Sequence, residues 1–138
     1  RLSDSQSYFN NITTDITTKL EDYKLVNQLD LSLDELLVER PSSTFLGFAN
    51  GDSMTGLGIF DGDLLIVDRF PVAQHNDVIV ANLNGEFICK VLDMTNRQLL
   101  SANSKYSSVT ITENDQFTIE GIVVGSIRMF RKSYLLSA

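Results

Sequence analysis

The 138-residue sequence predicts a mainly β domain, a compact twisted sheet or partial barrel, with one short helix and an extended N-terminal arm. Three observations lead to this prediction. Short apolar and β-branched runs recur at close spacing from Thr44 onward, which is typical of a barrel or sandwich-like domain. An Asn-Gly pair at 84–85 stands between two such runs. The one capped helical pattern stops at Pro41.

The first 30 residues form the arm in this interpretation. They are rich in Ser, Thr, Asn and Asp, and their scattered apolar residues follow neither the strand period nor the helix period. Residues 31–138 then form one domain, and the chain is long enough to bury a core. Because the sequence opens with Arg1 and not with methionine, we expect it to be trimmed, processed or cut from a longer protein.

A short helix is expected just before the β region. Ser32, followed three residues later by Glu35, forms the capping-box pattern ahead of the apolar residues at 36–38. Pro41 then ends the helix, because proline lacks the backbone N–H and disfavours a helical residue before it. The helix is therefore limited to one or two turns.

The strands are predicted from apolar runs bounded by turn residues. In the hairpin signal, Asn84-Gly85 favours a tight turn between two strands. The last run is long, and we expect a kink in it at Gly121 or Gly125. In chain order the predicted strands cover 64–67, 78–81, 86–92, 97–101, 109–111 and 117–130.

Composition excludes several classes of function. No apolar run approaches the roughly 18 residues of a membrane span, and no signal-peptide pattern opens the chain, so we expect a cytoplasmic protein without a membrane partner. The single cysteine, Cys89, fits a reducing compartment, and one cysteine with one histidine cannot supply a structural zinc site, so no metal or cofactor is expected. The net charge of -7 disfavours direct binding to DNA, which leaves contact through a partner or a missing N-terminal domain.

The stretch FANGDSMTGLGIFDGD, residues 48–63, uses four of the eight glycines around one serine, Ser53. A surface turn between two strands is one interpretation. The other is a backbone bent by glycines so that a single hydroxyl is presented to a substrate. In that second interpretation Gly51 and Asp52 form the supporting turn, and Ser53 is a candidate nucleophile.

A nucleophilic serine needs a base, because its hydroxyl reacts weakly at neutral pH. His75 lies in a polar stretch and reads as a turn residue. Lys90 lies on a predicted strand and shares its face with Ile88 and Leu92, so burial could make its amine neutral and basic. A surface lysine remains the alternative. The other lysines lie in polar or terminal stretches, at positions 19, 24, 105 and 132.

Three motifs together resemble the LexA/UmuD family of self-cleaving Ser-Lys peptidases: GDSM at 51–54, DGDLLIVDR at 61–69 and GEFICKVL at 85–92. Upstream, LSLDELLVERPSSTF at 31–45 is similar to the UmuD branch. The 37-residue separation of Ser53 from Lys90 matches the family's usual spacing for its dyad. The resemblance implies the fold of the LexA/UmuD C-terminal domain.

The resemblance also implies roles for individual residues. Ser53 would be the nucleophile and Lys90 its neutral general base, and the backbone N–H groups of Ser53 and Met54 would stabilise the oxyanion. The family cuts its own chain at an Ala-Gly or Cys-Gly bond, but neither dipeptide occurs here, and the corresponding stretch ITTKL at 16–20 is a poor match. A second departure is Asn76, where relatives commonly carry glycine.

By this resemblance the protein is a UmuD-like homodimer of the SOS response to DNA damage, with the 117–130 strand contributing to the dimer. A RecA–single-stranded-DNA filament would stimulate self-cleavage. The product would be an accessory subunit of an error-prone translesion polymerase of the UmuC type, with a sliding clamp as a further candidate partner.

Two alternatives stay open. The chain could be the C-terminal dimerisation and self-cleavage domain of a LexA-like or phage-type transcriptional repressor, whose helix-turn-helix would precede Arg1. It could also be a binding module with a vestigial dyad, which the absence of an Ala-Gly or Cys-Gly bond favours. A signal peptidase, which also uses a Ser-Lys pair, would need a membrane anchor.

Overall fold

A computed structural model describes residues 32–131 of the chain, in which seven antiparallel strands form an open sheet. The strands are ordered β1-β2-β7-β3-β4-β5-β6, so β1 and β6 are the two edges. The predicted mainly β fold is confirmed, whereas the predicted arm at 1–30 lies outside the described residues. The elements are α1 (Leu33–Leu37), β1 (Thr44–Phe48), β2 (Leu64–Asp68), β3 (Val78–Leu83), β4 (Glu86–Asp93), β5 (Gln98–Leu100), β6 (Val109–Thr110) and β7 (Phe117–Ile127).

Helix α1 begins with the predicted capping box. The Glu35 backbone N–H donates to the Ser32 hydroxyl, and the Ser32 backbone N–H donates to the Glu35 carboxylate, each over 3.2 Å. Both bonds satisfy N–H groups that the first helical turn would otherwise leave unpaired. The helix ends at Leu37, and Pro41 opens a separate 3₁₀ turn over Pro41–Ser43. Among the described residues, no helix is long and apolar enough to cross a membrane.

Strand β7 lies inside the sheet, between β2 and β3, and is irregular at both glycines predicted to kink it. Its pairing with β2 shifts register beside Gly125, and its pairing with β3 shifts beside Gly121. A side chain at Gly121 would lie 2.6 Å from a methyl carbon of Val67, so only glycine lets β2 and β7 approach this closely. The strand ends at Ile127, three residues earlier than predicted.

The hairpin between β3 and β4 confirms the Asn-Gly prediction. Leu83 pairs with Glu86, and the two turn residues both have positive φ, 54° at Asn84 and 91° at Gly85. This is the backbone that a type I′ turn needs. Asn76, the departure from the family's glycine, has φ of 72°, a left-handed conformation that asparagine tolerates better than most residues.

Two clusters of buried side chains form the core. The second cluster includes Met54, the residue directly after the candidate nucleophile, which is 4% exposed. Burial of that side chain anchors the serine-bearing loop to the sheet. The first cluster contains Ile79, Ala81, Leu92, Leu99 and Ile122, and the second contains Met54, Ile59, Leu65 and Val67.

A buried carboxylate at the end of β2 ties the segment before β1 to the sheet. Asp68 is 2% exposed and accepts hydrogen bonds from the Ser43 hydroxyl at 2.7 Å, the Arg40 guanidinium at 2.8 Å and the Phe70 backbone N–H at 3.0 Å. The Ser43 bond is the largest cause of its lowered pKa, followed by the Phe70 bond, while burial opposes the shift. Arg40 and Ser43 of the RPSS stretch are therefore structural residues.

We expect Asp68→Asn to lower the free energy of unfolding at pH 7 and to flatten its dependence on acid. A carboxyl group whose pKa is lower in the folded chain stabilises the fold above its unfolded pKa of about 3.9. That stabilisation is lost as the pH falls through the folded pKa. Urea unfolding between pH 7 and pH 3 measures the effect. Glu113→Gln is the control, since Glu113 is exposed and makes no hydrogen bond within 32–131. Equal acid dependence in wild type and Asp68→Asn would contradict the expectation.

Candidate active site

The loop that carries Ser53 follows β1 and is held in a bent conformation. Gly51 has φ of 87°, which disfavours a side chain, and its N–H donates to the Asp61 carboxylate at 2.7 Å. Ser53 itself is half-buried, and its carbonyl oxygen accepts the Ala102 N–H at 2.8 Å. The glycine-rich stretch is therefore a backbone turn fixed on both sides of the serine.

Gly56 allows this loop to pack directly against the segment after β5. Its N–H donates to the Ala102 carbonyl oxygen at 2.6 Å. A side-chain carbon built on Gly56 would lie 2.4 Å from that same oxygen, far inside van der Waals contact. The φ of Gly56 is not in the positive region, so its backbone conformation would accept another residue. The glycine is needed because a side chain would prevent the close approach of the two segments.

The segment of residues 101–106, sequence SANSKY, also binds Asp52, the residue before Ser53. The Asn103 amide donates to the Asp52 carbonyl oxygen at 2.8 Å. The Lys105 ammonium donates to the Asp52 carboxylate at 2.6 Å, and the Tyr106 hydroxyl donates to its other oxygen. These two bonds lower the pKa of Asp52, and the same carboxylate raises the pKa of Tyr106. Asp52, predicted as part of the supporting turn, is thus bound by three side chains of the 101–106 segment.

Lys90 lies on β4, directly opposite the fully buried Ile79 of β3. Its side chain is half-buried, and burial lowers the pKa of its amine, partly opposed by the charge interaction with Cys89. Burial also raises the pKa of the Cys89 thiol to about 11, so the thiol stays protonated near neutral pH. The apolar surroundings predicted for Lys90 are present. The amine donates a hydrogen bond to the Ser101 hydroxyl at 2.8 Å.

Ser53 and Lys90 line the same pocket, of about 470 Å³. Within 32–131 no hydrogen bond joins the Ser53 hydroxyl to the Lys90 amine, which is bound to Ser101 instead. The backbone N–H groups of Ser53 and Met54 donate no hydrogen bond in this part of the chain. Two unused donors thus stand beside the serine. The rest of the lining is mainly apolar: Phe45, Phe48, Ile59, Leu65, Val67, Val80, Phe87, Ile88 and Cys89.

The histidine lies elsewhere. His75 Nδ1 accepts the Met94 backbone N–H at 3.1 Å and lies 3.7 Å from the Asp93 carboxylate, in the turn before β3. It is not among the residues that line the pocket of Ser53 and Lys90. This position agrees with the interpretation of His75 as a turn residue.

Sequence reasoning missed the contribution of residues 101–106. Ser101 fell at the end of a predicted strand, and the pairing of Val91 with Leu100 places it opposite Lys90 in the antiparallel ladder. The hairpin register would have revealed this neighbour, but an apolar pattern alone does not set the register between β4 and β5. The other three side chains, of Asn103, Lys105 and Tyr106, follow the strand in a polar stretch without a recognisable pattern.

We expect Gly56→Ala to lower the free energy of unfolding by about 1–3 kcal/mol, because the added methyl group collides with a backbone oxygen that cannot rotate away. Chemical denaturation at neutral pH measures the loss. Gly47→Ala is the matched control: a side-chain carbon at Gly47 meets nothing within 4 Å, and its φ is not positive. Equal stability of the two variants would show that the loop and the 101–106 segment separate without cost.

Comparison with known proteins finds one matching family and several similar proteins. The profile of the Peptidase S24-like family matches residues 14–124. Protein ImpA of Escherichia coli, like that of Salmonella typhimurium, is 34% identical over 103 residues, which cover 75% of this chain and 71% of ImpA. The LexA repressor of Alcanivorax borkumensis is 41% identical over 95 residues, 67% of this chain and 45% of the repressor. The LexA repressor of Syntrophotalea carbinolica is 41% identical over 85 residues, 60% of this chain and 42% of the repressor.

Proposed function

This chain belongs to the Peptidase S24-like family, and we propose that it is a self-cleaving serine endopeptidase with Ser53 as nucleophile and Lys90 as general base. The observation that carries the proposal is the shared pocket. It brings the one serine in a glycine-built turn together with a lysine whose pKa is lowered by burial. A lysine can act as a base near neutral pH only when its environment disfavours the charged form.

The chemistry follows from these groups. The neutral Lys90 amine removes the proton of the Ser53 hydroxyl as its oxygen attacks the carbonyl carbon of the scissile peptide bond. The backbone N–H groups of Ser53 and Met54 donate to the oxyanion that forms. The Lys90 ammonium then protonates the leaving amine as the peptide bond breaks. Water, deprotonated in turn by Lys90, hydrolyses the acyl-serine ester.

The pocket favours an extended peptide with small or apolar side chains, because its lining is mainly apolar. A segment of the chain's own N-terminal part is the substrate in this proposal. Neither Ala-Gly nor Cys-Gly is present in the 138 residues, so a scissile bond within them would differ from the family's usual one.

At the level of the cell, we propose a UmuD-like protein of the SOS response that acts in the cytoplasm. Cleavage would be stimulated by a RecA–single-stranded-DNA filament, and the product would assist an error-prone UmuC-type translesion polymerase, with a sliding clamp as a further partner. The net charge of -7 supports partners that are proteins over direct contact with DNA.

A second candidate is the dimerisation and self-cleavage domain of a transcriptional repressor. Relatives named LexA repressor are 41% identical, and the match spans less than half of their length. The sequence of the full gene distinguishes the two candidates. A helix-turn-helix encoded before Arg1 would favour the repressor, and a start codon close to the codon of Arg1 would favour the polymerase subunit.

We expect the protein to be cut once, alone at high pH or with RecA filament and nucleotide, and Ser53→Ala and Lys90→Ala to slow cleavage at least about a thousandfold. Intact-mass spectrometry detects the cut and locates the bond. The rate should rise with pH and level off above the pKa of Lys90, with a midpoint below the ordinary lysine value of about 10.4, because burial favours the neutral amine.

The control is Ser104→Ala, an exposed serine that donates and accepts no side-chain hydrogen bond within 32–131. It should cleave like the wild type. Cleavage that survives both Ser53→Ala and Lys90→Ala would assign the activity to other residues, and an uncut wild type under both conditions would refute the peptidase proposal.

We also propose that the protein forms a homodimer through the apolar surface near the end of β7. Phe48 and Met129 are both about half exposed, and Phe130 is 94% exposed. All three line one depression of about 650 Å³, together with Phe60, Leu64 and Ile127 and the charged residues Asp61, Asp63 and Arg128. Exposed apolar groups concentrated in one place favour association with a protein surface. A second copy of the chain would cover this surface.

Phe130→Ser should weaken the dimer about tenfold or more, because large aromatic side chains at the centre of an interface carry much of its binding free energy. Sedimentation equilibrium over a concentration series measures the dissociation constant. Val72→Ser is the control, since Val72 is similarly exposed, 86%, between β2 and β3. A wild type that stays monomeric, or a dissociation constant that Phe130→Ser leaves unchanged, would contradict the proposal.

A further inference from the structure

The Lys90 amine is held by a hydroxyl group other than that of the nucleophile. Within residues 32–131 the Lys90 amine makes one hydrogen bond, to the Ser101 hydroxyl at 2.8 Å. Ser101 directly follows β5, and the pairing of Val91 with Leu100 places it opposite Lys90 of β4. Ser101 is half-buried and belongs to the segment whose next residue, Ala102, binds the carbonyl oxygen of Ser53.

We propose that Ser101 is a positioning residue for Lys90, an inference that rests on the proposed peptidase function. A neutral amine has two N–H groups and one lone pair. The Ser101 oxygen accepts one N–H, and this restricts the rotation of the amine to orientations in which its lone pair can face the pocket that Ser53 lines. Without this anchor, the four-carbon stem of lysine spreads the amine over many rotamers.

Few other groups near the amine can take over this role. The Tyr106 ring centre lies 5.5 Å from the amine, and its hydroxyl is committed to the Asp52 carboxylate. The Lys105 ammonium is bound to the same carboxylate. The Cys89 thiol, whose pKa burial raises to about 11, is uncharged near neutral pH and interacts with Lys90 as a charge only at high pH, where it ionises. On the other flank, β3 presents the apolar Ile79 opposite Lys90.

The same bond has a second consequence for the pH profile. A hydroxyl oxygen that accepts from lysine binds the ammonium more strongly than the neutral amine, because the bond to a charged donor is charge-assisted. Ser101 therefore moderates the effect of burial on Lys90. Removing it should shift the midpoint of the pH–rate profile to lower pH while lowering the plateau rate at high pH.

The test compares Ser101→Ala, Ser101→Thr and Ser104→Ala in the full chain, with self-cleavage rates measured from pH 6 to pH 11. We expect Ser101→Ala to lower the plateau rate about tenfold and to move the midpoint down. Ser101→Thr keeps the hydroxyl and should recover most of the rate, and Ser104→Ala, in the same segment, should match the wild type. Urea unfolding midpoints identify any variant whose lower rate comes from lost folding.

The outcomes separate this inference from the function on which it rests. If the wild type cleaves and Ser101→Ala has the same plateau and midpoint, Ser101 does not position Lys90. If the wild type does not cleave, the peptidase proposal fails, and NMR titration of the Lys90 amine still tests the anchor. An unchanged amine pKa and an unchanged side-chain order parameter in Ser101→Ala would overturn it, and a lower pKa with a lower order parameter would support it.

Discussion

Under the proposed function, the site depends on one constraint, the free energy needed to keep Lys90 uncharged. In water an amine of pKa about 10.4 is almost entirely protonated at pH 7, and a protonated amine cannot accept a proton from serine. Strand β4 reduces that problem by placing Lys90 opposite the buried Ile79. The fold thus supplies through burial the pKa change that a histidine base would not require.

The 101–106 segment contacts both the loop that carries Ser53 and strand β4, which carries Lys90. It binds Asp52 with the side chains of Asn103, Lys105 and Tyr106, and it binds Lys90 through Ser101. The loop and the strand come from distant parts of the sequence, and they meet where Met54 packs in one cluster with Cys89 and Val91. A third segment that contacts both limits their relative motion, which is what precise placement of a nucleophile and a base needs.

The fold was more predictable from sequence than the site. The capping box at Ser32, the Asn-Gly hairpin and the apolar runs are local signals, and each produced the expected element within a few residues. Lys90 could be placed in an apolar setting because strand alternation is also local. The backbone approach at Gly56 depends on Ala102, 46 positions away, and the bond of Lys90 to Ser101 depends on the β4–β5 register, which the apolar pattern does not encode.

The contacts that hold the Ser53 loop and Lys90 in place limit the ways in which a partner could control the proposed cleavage. The bonds to Asp52, the close approach at Gly56 and the Lys90–Ser101 bond hold the groups around the pocket that Ser53 and Lys90 line. Under the proposed function Ser53 and Lys90 already line one pocket, so the barrier to cleavage lies largely in placing a peptide beside Ser53 with the Lys90 amine turned toward its hydroxyl. A stimulating partner would act by favouring that placement, since a ligand shifts an equilibrium only through its different affinity for the two states.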